Sequence, residues 1–499
     1  MIRITSEVVK KQRNFWNGCV FHPTDAVEDP WGKRILDRMS EDGSMRAVRI
    51  YAMLEDVVYT DETGKLCYDF RLSDLRLDYM VEKGYRFILA YAGMPDCIAA
   101  DTAYKTSVSK NKTRYKGKLW NSAPPRDFAL WEEICYEYTR HNVERYGIEV
   151  VSTWLCQCFN EPDISAFFHS ELPKPEWEIR LRDYCKLYEA FERGIRRVSD
   201  RVRIGGPVLA YKLPFLEGFL SFVKEKNLKL DYIALHGYGT SPRLINQEGK
   251  HICTENLVDK IRTYRDVIFA CGFGDTPIVV DEWGMASAGF FNREECPELM
   301  ARETEVFSSY YVKLIQKLVY SDVVIDELMI CLSGQHEMVE DFSGFRNFFT
   351  LNFIKKPIYN AFLLAARLKE NVLAVEGERE NLFVLPTKDD KGNHMIALTY
   401  SDPLFSQNVP TVTETFAFDE SLKGKTLTLY CIDAETTNPY RLYLRNGMQE
   451  PISPEEIALL REEGCLKPVL KQELTDTNLS LQLTPNSTYF IMLNEGEEL

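Results

Sequence analysis

What most constrains the fold is an alternation: from about residue 15 to residue 368, short β-branched or apolar runs take turns with long amphipathic stretches. The runs with strand character are CVF (19–21), MRAVRIY (45–51), YRFILAY (85–91), VSTWLCQCF (151–159), RVRIGGPV (201–208), DYIALHGY (231–238), PIVVDEW (277–283) and ELMICLS (327–333). Between them the period changes. In 177–199, Tyr184, Tyr188, Phe191, Ile195 and Val198 recur at intervals of three and four, which is the inward stripe of a helix. The stretches 128–146, 214–226, 255–270 and 303–320 read the same way. Eight strands, each followed by a helix and each apolar along its length because both faces are covered, predict an α/β fold of the (β/α)8 TIM-barrel type.

Beyond residue 368 the helical period fades, and short alternating runs such as HMIALTYS, TLTLYCID and STYFIML take over. These predict a C-terminal β-sandwich over 369–499, interrupted by a helix at PISPEEIALLREEG, where Ser453 caps and Glu456 stands three positions on. The opening IRITSE, within residues 1–14, precedes the barrel of residues 15–368 and is expected to join the sandwich. Such a module either binds carbohydrate or caps the barrel structurally.

Charge and cysteine usage exclude several classes of function. A net charge of −15 argues against a polyanionic nucleic-acid partner. The start, MIRITSEVVKKQRNFWNG, has no apolar core of the secretory kind, and no run reaches ~18 uninterrupted apolar residues, so a cytoplasmic location without a membrane partner is expected. Thirteen cysteines, an odd number without a CxxC pair, read as reduced and mostly buried thiols; Cys156 and Cys158, two apart on one strand, read as core. Seven scattered histidines without HExxH or His-x-His give no metal spacing, and no metal or other cofactor is expected.

The chemistry lies at the strand ends, because the C-terminal ends of barrel strands and the loops after them build the active site. Strand four delivers Asn160 and Glu161, strand six His236 and Tyr238, and strand seven Asp281, Glu282 and Trp283. A strand buried on both faces gains nothing from ending in a charge unless solvent or substrate meets it there. The Asn-Glu-Pro triplet alone reads as a strand break. Paired with Glu282 from across the mouth, Glu161 becomes half of the two-carboxylate arrangement of glycoside hydrolysis, which at a separation of ~5–5.5 Å proceeds with retention. In a regular strand Asp281 and Glu282 point to opposite faces. Glu282 is expected to face the mouth and Asp281 to make a structural hydrogen bond or ion pair. Trp283 fits either a sugar-stacking platform or rim packing.

Several stretches resemble glycoside hydrolase family 39, the retaining β-xylosidases and α-L-iduronidases: AVRIYAMLEDVVYTDETGKLCYDF through GMP, WNSAPPRDFALWEEICYEYTRHNVERYG, FNEP, HGYG, VVDEWG and KKPIYNAF. The resemblance implies that Glu161 is the acid/base and Glu282 the nucleophile. It further implies that Asn160 bonds the sugar 2-hydroxyl, and that His236 and Tyr238 line the sugar site and orient the nucleophile. Glu337 is placed as a late carboxylate of the substrate site. Departures are Phe159 in place of Trp before NEP, Arg49-Ile50-Tyr51 in place of Arg-Phe-His, and MICLSGQHE in place of an aromatic run, with Ile330 where a sugar-facing Trp is expected.

The resulting expectation is a retaining exo-glycosidase acting on short oligosaccharides, nominally a β-xylosidase. The alternatives are the same machinery with another glycone (α-L-arabinofuranosidase, β-glucosidase or β-galactosidase) or a non-catalytic sugar-binding relative. A uronic acid glycone finds cations only in Lys118 and Arg346. The residues leave the oligomeric state open; the resemblance implies a homo-oligomer.

Overall fold

A computed structural model describes residues 1–20, 27, 29–103, 105–106, 120–169, 176–242, 244–245, 247, 251–287, 293–332, 338 and 340–494. The eight runs close into one parallel barrel of strands Gly18–Val20, Ala47–Tyr51, Arg86–Tyr91, Leu155–Cys158, Arg203–Leu209, Tyr232–Tyr238, Ile278–Gly284 and Ile325–Cys331. The eighth strand closes on the first, with Ile330 opposite Cys19.

Helices cover the outside where the amphipathic patterns lie, among them Phe128–Tyr146, Trp177–Arg196, Leu213–Lys226, Thr254–Ala270 and Glu305–Val319. Asp127 and Thr304 cap two of them by accepting backbone amides of Ala129 and Val306. The helix Trp177–Arg196 turns Tyr184, Leu187, Tyr188, Phe191 and Ile195 inward. Two apolar layers result. A small one inside the barrel includes Ile88, Leu155, Ala234, Val279 and Met329, and a large one lies between strands and helices.

The fourth strand is shorter than its apolar run. Ile148–Val151 forms a helical turn after Gly147, and the strand begins only at Leu155. The amides of Val150 and Val151 donate to the Gly147 carbonyl, while Trp154 packs on Phe87 and Tyr146. These contacts override the strand preference of the β-branched residues.

Eight C-terminal strands and the N-terminal one form one continuous nine-stranded sheet rather than two separate ones. Residues from both ends of the strand order, Leu427 and Leu481, share a single apolar core with Ile4, Leu373, Ile396 and Ile491, as in a sandwich made by curling one sheet. The N-terminal strand Ile2–Lys11 lies between Asn371–Glu376, antiparallel, and Val412–Ala417, parallel. The sheet seats on helix Glu305–Val319, where the Ser309 and Thr399 hydroxyls meet at 2.6 Å and Arg441 donates to Glu305 at 2.7 Å. Its helical excursion, Pro439–Arg445 and Pro454–Glu463, packs Tyr440 and Tyr443 against Phe342, on the segment that follows barrel strand eight. Ser453 caps the second of these helices, accepting the Glu456 amide at 3.1 Å. Among the described residues no helix is long and apolar enough to cross a membrane.

Trp283 lies in the outer core. It is fully buried, stacks with Tyr310, Tyr311 and Phe362, and meets Phe307 edge-on. The expected substrate contact is therefore corrected to packing: the side chain points away from the barrel axis, into the layer between strand seven and its neighbouring helices. Trp283→Ala is expected to cost about 3–5 kcal/mol in urea denaturation, as for large buried aromatics. A cost under about 0.5 kcal/mol, the range of exposed substitutions, would place the ring at the rim instead.

Candidate active site

Four strand ends converge on one buried polar cluster. Arg49, in the middle of strand two, is fully buried. One guanidinium nitrogen donates to Glu282 Oε1 at 2.7 Å and another to Asn160 Oδ1 at 2.7 Å, while its Nε lies 3.1 Å from Asp281 Oδ2. Two residues along the same strand face, the Tyr51 hydroxyl donates to Asn160 Oδ1 at 3.0 Å. With its carbonyl oxygen taken by Arg49 and Tyr51, the Asn160 amide presents its NH2 group as a donor. From strand six, Tyr238 donates to Glu282 Oε2 at 2.7 Å, and His236 Nδ1 sits 2.7 Å from Glu161 Oε1.

Glu161 is delivered by a left-handed backbone. Phe159 and Glu161 have φ of 65° and 43°, values that side-chain-bearing residues adopt rarely. Neighbouring strands hold this turn in place: the Phe159 amide donates to the Tyr91 carbonyl and the Glu161 amide to the Val208 carbonyl, both at 3.0 Å. Two residues on, buried Asp163 accepts the amides of Ala210, Tyr211 and Lys212, tying the loop after strand four to the loop after strand five.

Strand seven departs from regular alternation. Leu235 pairs with Val280, but the next residue, His236, pairs with Glu282, so Asp281 is an extra residue in the strand. The other edge shows the same slip, Val280 opposite Leu328 and Trp283 opposite Ile330. This β-bulge turns both carboxylates toward Arg49, correcting the expectation of opposite faces. Asp281 is fully buried, accepts Gln157 Nε2 at 2.9 Å and lies 3.7 Å from His236 Nε2. Its role is the expected structural one, exercised from inside the barrel.

Electrostatics separates the two glutamates. Burial alone pushes the Glu282 carboxyl up, but the charges of His236 and Arg49, the Tyr238 hydrogen bond and the charge of Arg346 outweigh it and hold the carboxyl down at about 2. Glu161 moves the other way: burial raises it, His236 opposes, and the negative charges of Glu282 and Asp163 add to the rise. For His236, burial favours the neutral ring, yet Glu282, Asp281 and Glu161 together raise it to about 10. Near neutral pH the Glu161–His236 pair therefore holds a proton while Glu282 is bare. One oxygen from each glutamate and a His236 ring nitrogen lie within 4.8 Å of one another. That spacing would also suit a divalent cation, but Arg49 and Arg346 already turn two fixed positive charges on Glu282, and a cation would have to bind against both.

Glu161, Asn160, His236, Tyr238 and Glu282 are thus brought together, whereas Trp283 is not; Glu337 and Lys118 lie outside the described residues. Strand eight contributes Cys331 rather than Ile330, whose side chain packs in the outer layer. The buried thiol is pushed up to about 12, chiefly by burial, and feels Arg346, Glu282 and Tyr238. Arg346 donates to the Tyr238 hydroxyl at 2.9 Å. Reading strand ends alone missed Arg49 because it lies in the middle of its strand, and passed over Tyr51 at that strand's end. An arginine inside the apolar run AVRIY was the available signal.

The family model for glycosyl hydrolases family 39 matches residues 1–476. A beta-xylosidase of Caldicellulosiruptor saccharolyticus is 24% identical over 97% of this chain and 96% of its own. An alpha-L-iduronidase of Canis lupus familiaris is 27% identical over 56% of this chain and 40% of its own. Among solved structures, a monomeric beta-xylosidase from Caulobacter crescentus superposes with a TM-score of 0.82 at 17% identity, covering 99% of each chain.

Arg49→Gln is expected to lower kcat/KM by about 10²–10³, the cost of removing a preorganised charge partner. It should also move the acid limb of the pH profile upward, since Glu282 loses a cation that depresses it. A folded variant with an unmoved acid limb would show that Arg49 does not set the charge state of Glu282.

Proposed function

The chain belongs to glycosyl hydrolases family 39 and is a glycoside hydrolase, and from that premise we propose a retaining exo-glycosidase that removes terminal sugars from short oligosaccharides, nominally a β-xylosidase. The observation that carries the reading is the approach of Glu161 and Glu282 oxygens to within 4.8 Å. Inverting enzymes leave roughly 6.5–9.5 Å between their carboxyl groups to admit a water, so this spacing favours double displacement.

In this reading the bare Glu282 attacks the anomeric carbon while Glu161 gives its proton to the departing oxygen, leaving a glycosyl ester on Glu282. Water then attacks the same carbon, Glu161 takes its proton, and Glu282 leaves as the carboxylate. The Asn160 amide donates to the sugar 2-hydroxyl. Tyr238 and Arg49 hold the two oxygens of Glu282, so its charge is stabilised before and after the ester forms.

For the glycone, the beta-xylosidase of Caldicellulosiruptor saccharolyticus, similar over nearly the full length of both chains, supports xylose. One observation favours a second reading. Arg346 is half-buried beside Tyr238 on the edge of the cluster, a cation that could face a glycone carboxylate, as in the substrate for which the alpha-L-iduronidase relatives are named.

A panel of nitrophenyl glycosides covering neutral pentoses, hexoses and uronates decides between the readings, and NMR of the first-formed sugar tests retention. Turnover of xyloside with the anomer retained is expected; an inverted product would sink the mechanism, and turnover of the uronide alone would replace the glycone. Glu282→Ala should remove turnover of every substrate. Glu161→Ala should lose about 10²–10⁴ on natural disaccharides and far less on dinitrophenyl glycosides, whose leaving group needs little protonation. Equal losses on both would return Glu161 to a structural part.

A further inference from the structure

The second lysine of KKPIYNAF takes no part in the chemistry above, yet Lys356 is fully buried. Its Nζ donates to Glu303 Oε1 at 2.7 Å and to the Phe345 carbonyl at 3.2 Å. The same Glu303 oxygen accepts the Gly344 amide at 2.7 Å. Arg302, also buried, donates to the Gly344 carbonyl at 3.0 Å and to the Ala286 carbonyl at 2.7 Å. Gly344 is left-handed, with φ 76°, and a side chain there would press on the Leu299 backbone at 3.3 Å. These bonds grip the two residues immediately before Arg346. They also fasten them to Ala286, on the loop that continues from the strand bearing Glu282.

Arg346 in turn donates to Tyr238, and Tyr238 to Glu282 Oε2, at 2.9 and 2.7 Å. Buried ion pairs add little to stability, because desolvation offsets most of their attraction, but each charge demands partners at fixed places. We propose that Lys356, Glu303 and Arg302 form a clamp that holds Arg346 on Tyr238 and thereby fixes the Tyr238–Glu282 hydrogen bond. They are positioning residues, and the inference rests on reading Glu282 as the nucleophile.

Among the described residues, the groups facing Glu282 are Arg49 and Tyr51 from strand two, Glu161 from strand four, His236 and Tyr238 from strand six, Asp281 beside it, and Cys331 and Arg346 from strand eight and the segment after it. Of the cations among them, Arg49 and His236 belong to barrel strands; Arg346 alone depends on the clamp.

The test is the pH profile of kcat/KM for the full chain on an aryl glycoside that the unaltered protein hydrolyses. Lys356→Met is expected to raise the acid limb by about one pH unit, the usual effect of moving a charge away from a carboxylate. It should lower kcat about tenfold with little change in KM, as for an interaction made mainly in the transition state. In an Arg346→Gln background it should add no further shift, since the two act through one contact. Lys356→Met combined with Glu303→Gln removes both ionisable groups, keeps an acceptor for the Gly344 amide, and supplies a second variant should the first fail to fold. A folded variant with the acid limb unmoved, or with an undiminished shift in the Arg346→Gln background, overturns the clamp. A crystal structure of the variant gives a readout independent of turnover: Arg346 displaced from Tyr238 supports the clamp, and Arg346 in place refutes it. Absence of turnover by the unaltered protein would instead strike at the proposed function.

Discussion

A guanidinium sealed inside a barrel is the constraint on which the rest of the site depends. Arg49 has no exposure to solvent, so its charge must be met by protein groups, and it is met by Glu282, Asp281 and Asn160. In a medium of low dielectric constant such an arrangement works in both directions. The carboxylates make the buried cation tolerable, and the cation keeps Glu282 ionised although burial favours its neutral form. Glu161 is bonded to His236 instead, and there the same burial pushes the carboxyl up. One buried polar cluster thus shifts two glutamates in opposite directions, with the charges of His236 and Arg49 holding Glu282 down.

The backbone departs from regularity where this arrangement requires it. A regular seventh strand, continuing from Val279 inside the barrel and Val280 outside it, would keep Asp281 inward but send Glu282 outward into the helical layer. The extra residue in its register lets Asp281 and Glu282 share Arg49 and still returns Trp283 to the outer core. The left-handed turns at Phe159 and Glu161 serve a similar end at strand four, and amides from both residues bond to the flanking strands. The C-terminal sheet reaches the same region indirectly: its helical excursion packs on Phe342, and Arg441 meets Glu305 at the start of the helix after strand seven. The module is thereby part of the scaffold behind the mouth.

Much of this was legible in the chain because the signals were local and redundant. Tyr184, Tyr188, Phe191 and Ile195 mark a helix face whatever surrounds them, and each barrel strand carries enough consecutive apolar residues to be recognised alone. Asn160, Glu161, His236, Tyr238 and Glu282 stood out because polar groups ending buried strands call for a reason. Strand four is shorter than its apolar run because Val150 and Val151 favour a strand by themselves, and only contacts through Gly147 and Trp154 make them a turn. For Trp283 a sugar-stacking platform and rim packing fit the sequence equally, since the choice is one of direction across a strand.

The amino-acid sequence by itself determined the barrel, the following β-module, and the polar residues that end strands four, six and seven, because periodicity and strand-end polarity are properties of short segments. Only the tertiary structure decided which groups face one another. It joined Arg49 to both carboxylates of strand seven, put Cys331 rather than Ile330 toward the site, and linked Lys356 through Arg346 and Tyr238 to Glu282. The reason is physical: a one-residue slip in register reverses every side chain beyond it, and burial with its neighbouring charges, which set protonation, exists only once distant segments have packed.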